Sequence, residues 1–274
     1  MIEDSRVYDS AARAKPFYEE LQALVRYRDL IGQLIARSVK VRYKRSFLGV
    51  AWTMVNPLLT MAVLTLVFAN IFRFPGQDYA LHVLSGLLIW NFFAQSTTAA
   101  MNDLVWSGGL LGRIFVPKAA FAVSALGTGL INLVLALGAY AIIALVLGAS
   151  LPATILLLPL PVFLTGLFTL GVALMVSTAA IYFPDTVPMY EVLLTAWMYL
   201  TPVIYPVDVL PDNLRAVLRF NPLYPLVTSF RDVLVEGRLP DGGTLISAMA
   251  ASIGMLLLGW WVFTRKAREY AYRV

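Results

Sequence analysis

Few side chains in this sequence could do covalent chemistry. Cysteine is absent and His82 is the single histidine. That excludes a disulfide framework, a Cys/His zinc site and a thiol nucleophile. Ser, His and Asp are not arranged as a hydrolase needs, no carboxylates pair on an external face, and no metal-ligand spacing occurs. A glycine-rich phosphate loop of the form G-x-x-x-x-G-K followed by Ser or Thr is also missing. Any uphill work must therefore draw on energy from another chain. His82, Asp103, Asp185 and Glu191 fall near the ends of apolar runs, so the sequence offers no buried relay of the kind an ion-coupled carrier uses.

The remaining polar groups are suited to binding. Arg37, Lys40, Arg42, Lys44 and Arg45 run straight into a long apolar segment that begins at Trp52. Within that segment Asn56, Thr60 and Phe68 share a stripe, and Asn56 precedes a proline, Pro57. A later apolar run repeats the theme with Tyr190, Trp197, Thr201 and Tyr205. Stripes of hydroxyls, carboxamides and aromatic faces either pack helices together or line a polar path, and both readings stand at this level.

The elements that position these residues are membrane spans. Of 274 residues, 59% are hydrophobic and only 14% charged, against roughly half and a quarter in soluble domains. A spanning helix needs about 20 predominantly apolar residues, and such runs occur at 52–72, 79–101, 119–147, 152–182, 189–205 and 244–264. The expected fold is therefore an all-α integral membrane protein of six transmembrane helices. No stretch reads as a cleaved signal peptide, because the first long apolar run starts near residue 50.

Lys and Arg set the orientation. With a cytoplasmic N-terminus, sixteen basic residues lie inside, and Arg73, Arg215, Arg219, Arg231 and Arg238 make five outside. Both termini are then cytoplasmic. The net charge of +5 is a topology signal and an attraction for anionic lipid headgroups, not a nucleic-acid footprint. The expected division is a cytoplasmic tail with an interfacial helix (1–51), a six-helix transmembrane domain (52–264) and a cytoplasmic tail (265–274).

Three connecting regions carry further expectations. Upstream of span one, Leu21, Leu24, Val25, Ile31, Leu34 and Ile35 recur at helical spacing between charges, as in a helix lying in the interface or against a partner. The cytoplasmic loop 102–118 holds Trp106, Leu110, Leu111, Ile114 and Phe115 beside Arg113. That is more apolar surface than water favours, and it fits a docking surface for another protein. The external segment 206–242 alternates apolar residues with Arg215, Arg219, Arg231 and Asp232. Asn221-Pro222 and Pro225 should divide it into two short helices, a hairpin that re-enters the outer leaflet.

At this point the residues carry a family likeness. RYKRSFLGVAWTMVNPLL (42–59) resembles the start of the membrane subunits of polysaccharide-exporting ABC transporters, the O-antigen, capsule and teichoic-acid exporters, with Tyr43, Ser46, Leu48, Gly49, Trp52 and Pro57 on the pattern. TPVIYP (201–206) followed by NPLYPLVTSFRDVL (221–234) is similar to that family's fifth-span exit and external hairpin. The chain departs from it at YFPDT (182–186), where Pro184 stands in place of the family's common Arg.

The resemblance implies a homodimer in the inner (cytoplasmic) membrane of a bacterium, docked on two copies of a separate ABC ATPase subunit. ATP and Mg are then bound by that partner, and no cofactor by this chain. The implied cargo is a polysaccharide on an undecaprenyl-pyrophosphate carrier. Asn56, Thr60, Phe68, Trp197, Tyr199, Thr201 and Tyr205 become the substrate pathway, with Tyr199 and Tyr205 near the external mouth. Arg37, Lys40, Arg42, Lys44 and Arg45 become the entrance for the pyrophosphate or anionic headgroup. Trp106, Leu110, Leu111 and Arg113 become the surface that receives the ATPase stroke. Two alternatives share parts of the sequence evidence: an ABC exporter permease for a lipid or drug, and a non-transport membrane protein of glycan assembly.

Overall fold

The computed structural model describes residues 16–43, 49–72, 76–106, 117–266 and Tyr270. Among the described residues the regular elements are all helical. They are α1 (Pro16–Arg26), α2 (Arg28–Tyr43), α3 (Trp52–Phe72), α4 (Gly76–Trp106), α5 (Ala119–Val146), α6 (Pro159–Tyr182), α7 (Thr186–Leu200), α8 (Asp212–Leu218), α9 (Leu223–Leu234) and α10 (Gly242–Lys266), with short 3-10 turns between some of them.

Helix α4 lies at the centre, against α3, α5, α6, α7 and α9. Its buried face runs from Tyr79 to Leu104 and includes Leu84, Phe93 and Met101, all nearly inaccessible. On the far side of α6, Gly171 and Gly259 bring the backbones of α6 and α10 together. A Cβ on either glycine would strike the backbone of the opposite helix, so the two helices approach as closely as small residues permit. Several buried hydroxyls in this apolar interior are satisfied within their own helices, whereas those of Ser96, Ser177 and Ser252 have no partner among the described residues. Thr97 donates to Phe93 O at 3.0 Å, Thr128 to Ser124 O at 2.9 Å, Thr165 to Pro161 O at 2.8 Å and Thr169 to Thr165 O at 2.7 Å.

Among the described residues, four helices are long and apolar enough to cross a membrane: α3, α5, α6 and α10. Two expected spans differ in form. α4 is 31 residues long, longer than the run at 79–101, and mixes Ser, Asn, Gln and Thr into its apolar face. α7 has 15 residues, or about 22 Å of rise, against a hydrocarbon thickness near 30 Å. It stops at Leu200 because Pro202 supplies no backbone donor and disfavours the helical conformation in Thr201 before it. Thr201 accordingly turns extended, at φ −108° and ψ 136°.

α6 begins at Pro159 rather than 152, since residues 153–157 form a 3-10 turn and Pro159 occupies the first helical position that favours it. The segment 206–242 does contain two short helices, α8 and α9, separated at Asn221-Pro222. Pro225 does not break it further: it sits in the first turn of α9, where a missing N–H leaves no intrahelical bond unmade. The upstream amphipathic segment divides into α1 and α2 around Tyr27. Leu24, Leu30, Ile31 and Ile35 turn against the rest of the chain, whereas Leu21 and Val25 stay exposed.

Candidate functional site

Breaking α7 at Pro202 leaves carbonyls without helical partners. The external segment supplies the donors. Asn221 Nδ2 donates to Leu200 O and to Thr201 Oγ1, both at 2.9 Å. Its Oδ1 accepts from Trp197 Nε1 at 2.9 Å and from the Leu223 backbone N–H at 3.0 Å. One carboxamide therefore ties the end of α7 to the start of α9. Tyr79 Oη donates to Ile204 O at 3.0 Å from the outer end of α4.

Arg231 closes the knot. Its guanidinium donates to Pro202 O, to Val203 O at 2.6 Å, to His82 O at 3.1 Å and to Ser85 Oγ at 3.4 Å. The side chain is buried, with 7% of the residue exposed, and its hydrogen-bond partners are neutral oxygens from two other segments. Arginine suits this place because its planar fork points five donors in fixed directions; a lysine ammonium would serve one point. Gly86 makes the room: a Cβ there would collide with the guanidinium and with Val203 O. The neighbouring Asp232 is also buried and pairs with Arg238, which donates to Oδ1 from Nε at 2.7 Å and approaches it with Nη2 at 2.6 Å. That bond pulls the Arg238 guanidinium above its ordinary pKa. Thr154 Oγ1 donates to Val233 O at 2.8 Å and fixes the far end of α9.

The sequence-derived pathway residues divide into two groups. Trp197, Tyr199, Thr201 and Tyr205 gather at this exit. Trp197 points inward, edge-on to Phe93 at 5.4 Å and to Phe168 at 6.3 Å, and Thr201 is fully buried. Tyr199 is 63% exposed, and Tyr205 Oη donates to its carbonyl at 3.0 Å. Tyr199, Tyr205, Leu210, Leu214 and Phe220 line an open apolar cleft of about 530 Å³ beside α8. On α3, Phe68 stacks on Phe72 at 5.7 Å and so belongs to the outer end with Tyr79. Asn56 and Thr60 lie near the other end, where Thr60 Oγ1 donates to Asn56 O at 3.0 Å.

Of the stripe expected on α7, Tyr190, Trp197 and Thr201 lie on its inward, packing face. Tyr190 faces inward and donates to Thr97 Oγ1 at 2.8 Å. The polar residues that face outward are Glu191, Thr195 and Tyr199, at i, i+4 and i+8, with the Thr195 hydroxyl on Glu191 O at 3.1 Å.

At the other end, Arg37 and Trp106 line one open cleft of about 700 Å³ between α2, α4 and α5. Trp106 is 85% exposed, and Arg37 and Lys40 are exposed along α2. Arg42 lies in the last turn of α2. Lys44, Arg45, Leu110, Leu111 and Arg113 lie outside the described residues. Beside this cleft Tyr270 is buried with its Oη 2.7 Å from Thr178 Oγ1, under the Lys118 ammonium at 5.3 Å from its ring. Burial holds that ammonium below the usual lysine range.

Sequence reasoning treated Arg231 as one external charge among five and Asn221 as a helix breaker. The signal for Arg231 was present: it lies four residues after Val227 and one after Phe230, inside the apolar face of LYPLVTSFRDVL.

Comparison with known proteins places this architecture. The family described as ABC-2 type transporter matches residues 29–235. The O-antigen export system permease protein RfbA of Myxococcus xanthus is 30% identical over 253 residues, 92% of this chain and 97% of that protein. A protein of the same name from Klebsiella pneumoniae is 25% identical over 213 residues, 77% of this chain and 82% of its own length. The polysialic acid transport protein KpsM of Escherichia coli is 20% identical over 244 residues, 87% of this chain and 93% of that protein.

Proposed function

We infer the function from one premise: this chain belongs to the ABC-2 type transporter membrane family. It is the permease subunit of an ABC exporter for a bacterial polysaccharide of the O-antigen or capsule kind, seated in the inner membrane, as its near full-length relatives suggest. The ATP-hydrolysing subunit is a separate chain. In this reading α3, α4, α5, α6, α7 and α10 are six crossings with both termini cytoplasmic. The extended stretch after Leu200 completes the short α7, and the α8–α9 pair is the external hairpin.

The observation that carries the reading is the outward line of Glu191, Thr195 and Tyr199 on α7. Glu191 lies in the second turn of α7, and with the Thr195 and Tyr199 hydroxyls it makes a face better matched to water, sugar hydroxyls or another protein than to lipid. α3 has a similar shortage of cover: Leu59, Val63, Leu66 and Ile71 are exposed, and only Pro57 and Ala69 are buried. Two copies meeting through α3 and α7 would enclose a path with Tyr199 and Tyr205 at its mouth. The cargo is an undecaprenyl-pyrophosphate-linked glycan, its pyrophosphate met by the basic cluster from Arg37 to Arg45 and its neutral sugars by hydroxyls and aromatic faces. Trp106 and the loop through Arg113 receive the ATPase.

The Arg231 knot gives the mouth its rigidity. It holds Thr201–Tyr205 against α4 and α9 while α3 and α7 move relative to their symmetry mates. The test is co-expression with the ATPase encoded beside this chain, purification through a tag, and ATP hydrolysis measured with and without the lipid-linked glycan. A complex of two permease and two ATPase chains whose rate responds to the glycan is expected. A chain that captures no ATPase would overturn the reading, and a complex indifferent to glycan would move the cargo to a lipid or drug.

A further inference from the structure

The inner halves of α3, α4 and α5 enclose a polar region that the exit segment does not touch. A cavity of about 200 Å³ lies between them. Its wall carries the carboxamides of Asn56 from α3, Asn91 and Gln95 from α4 and Asn132 from α5, beside Trp52 and Phe92. Among the described residues, no Lys, Arg, Asp or Glu lines it. The side chains of Asn56, Asn91 and Gln95 make no hydrogen bond to another described residue. Amides in an apolar bundle ordinarily find a partner across a helix contact, because an unpaired polar group is costly there. Thr60, Thr97 and Thr128 follow that rule by bonding back to their own backbones, whereas Thr65 and Ser96 do not. Asn56, Asn91 and Gln95 instead face a shared space in which Asn56 and Gln95 are exposed.

We propose that this cavity binds one ring of a neutral, hydroxyl-rich saccharide through Asn56, Asn91, Gln95 and Asn132, with Trp52 against the ring. The proposal deepens the exporter reading and rests on it for the identity of the natural sugar. Its chemistry follows from the lining. A carboxamide presents an acceptor oxygen and two donors in a fixed plane, and a sugar hydroxyl both donates and accepts, so adjacent hydroxyls match adjacent amides. An uncharged wall neither recruits a phosphate, which needs Arg or Lys, nor a cation, which needs carboxylates. The volume equals roughly seven water molecules at ~30 Å³ each, enough for a single ring and not for a folded oligosaccharide. The same hydroxyl chemistry is available from the glycerol headgroup of phosphatidylglycerol, so the test must separate the two sources.

The cysteine-free sequence permits a direct assay. Ala136→Cys places a single thiol on the cavity wall, with Leu133→Cys as a second position should the first not fold. The full chain is reconstituted in phosphatidylethanolamine nanodiscs, and the rate of alkylation by a small maleimide is measured with maltoheptaose, and separately with phosphatidylglycerol in the disc. Maltoheptaose should slow alkylation about threefold at millimolar concentration, the affinity a one-ring site supports. The slowing should disappear when Asn91→Leu and Gln95→Leu are added. Absence of slowing, slowing that survives both leucines, or slowing by phosphatidylglycerol alone would overturn the proposal. The readout is equilibrium binding and needs no ATPase. A glycan-responsive ATPase complex with no maltoheptaose protection therefore sinks this site alone, whereas protection in a chain that recruits no ATPase sinks the exporter reading alone.

Discussion

The outer end of the molecule and the inner crevice between α3 and α5 handle polar groups in opposite ways. Around Arg231 and Asn221 the donors and acceptors are buried and matched to one another across α4, α7 and α9. Around Asn91 and Gln95 the carboxamides are set side by side and left to face a cavity. A buried donor with a partner specifies architecture, because losing either member leaves the other stranded. A polar group held without a protein partner contributes little to folding and is available to a ligand. The contrast separates residues that fix architecture from residues left open to a ligand.

The largest effect should come from Arg231. Arg231→Met strands the Pro202, Val203 and His82 carbonyls together, and each buried acceptor left without its donor costs about 1–3 kcal/mol. The expected result is a large fall in the thermal midpoint of the detergent-solubilised protein, or failure to fold. Arg231→Lys should recover little, since one ammonium cannot reach oxygens on two segments. Recovery of wild-type stability by lysine would show that charge, rather than the fork, matters here.

Gly86→Ala should come next, at about 1–3 kcal/mol, because the added methyl occupies the place of the guanidinium. Asn221→Ala removes the partner of Trp197 Nε1 and the donor to Leu200 O, and should cost about 1–3 kcal/mol by the same assay. A blue shift or broadening of Trp197 emission, isolated by replacing the other tryptophans, would report the loosened exit. Arg238→Ala should cost less, about 1 kcal/mol, because the arginine is exposed although Asp232 is not. The smallest effect belongs to the other region: Asn91→Leu with Gln95→Leu should change stability by no more than ~0.5 kcal/mol. A drop as large as that of Asn221→Ala would erase the contrast between the two regions.

Much of the span layout was legible in the apolar runs. α3 begins and ends at the residues where its run does, Trp52 and Phe72, and α5 stops one residue before the expected position 147. Where prolines cluster the runs misled. Residues 153–157 continue the apolar run but form a 3-10 turn, and the run to 205 hides the stop that Pro202 imposes on α7. The site was less legible because its bonds are long in sequence. Arg231 reaches oxygens at 82, 85, 202 and 203, as far as 149 residues away, and hydropathy registers its charge without its partners. The stripe on α7 kept two readings open for a related reason. Helical spacing gives the faces of a helix but not which of them meets the core, and Tyr190 and Trp197 found Thr97 and Phe93 on α4.

The central claim is that the outward face of α7 meets a second copy across the pathway. Tyr199→Cys, in a chain with no other thiol, can be treated in native membranes with a flexible bis-maleimide and compared with Leu145→Cys on the exposed face of α5. The account predicts a crosslinked dimer from Tyr199→Cys and a monomer from Leu145→Cys. A monomer from the first with a dimer from the second would contradict it.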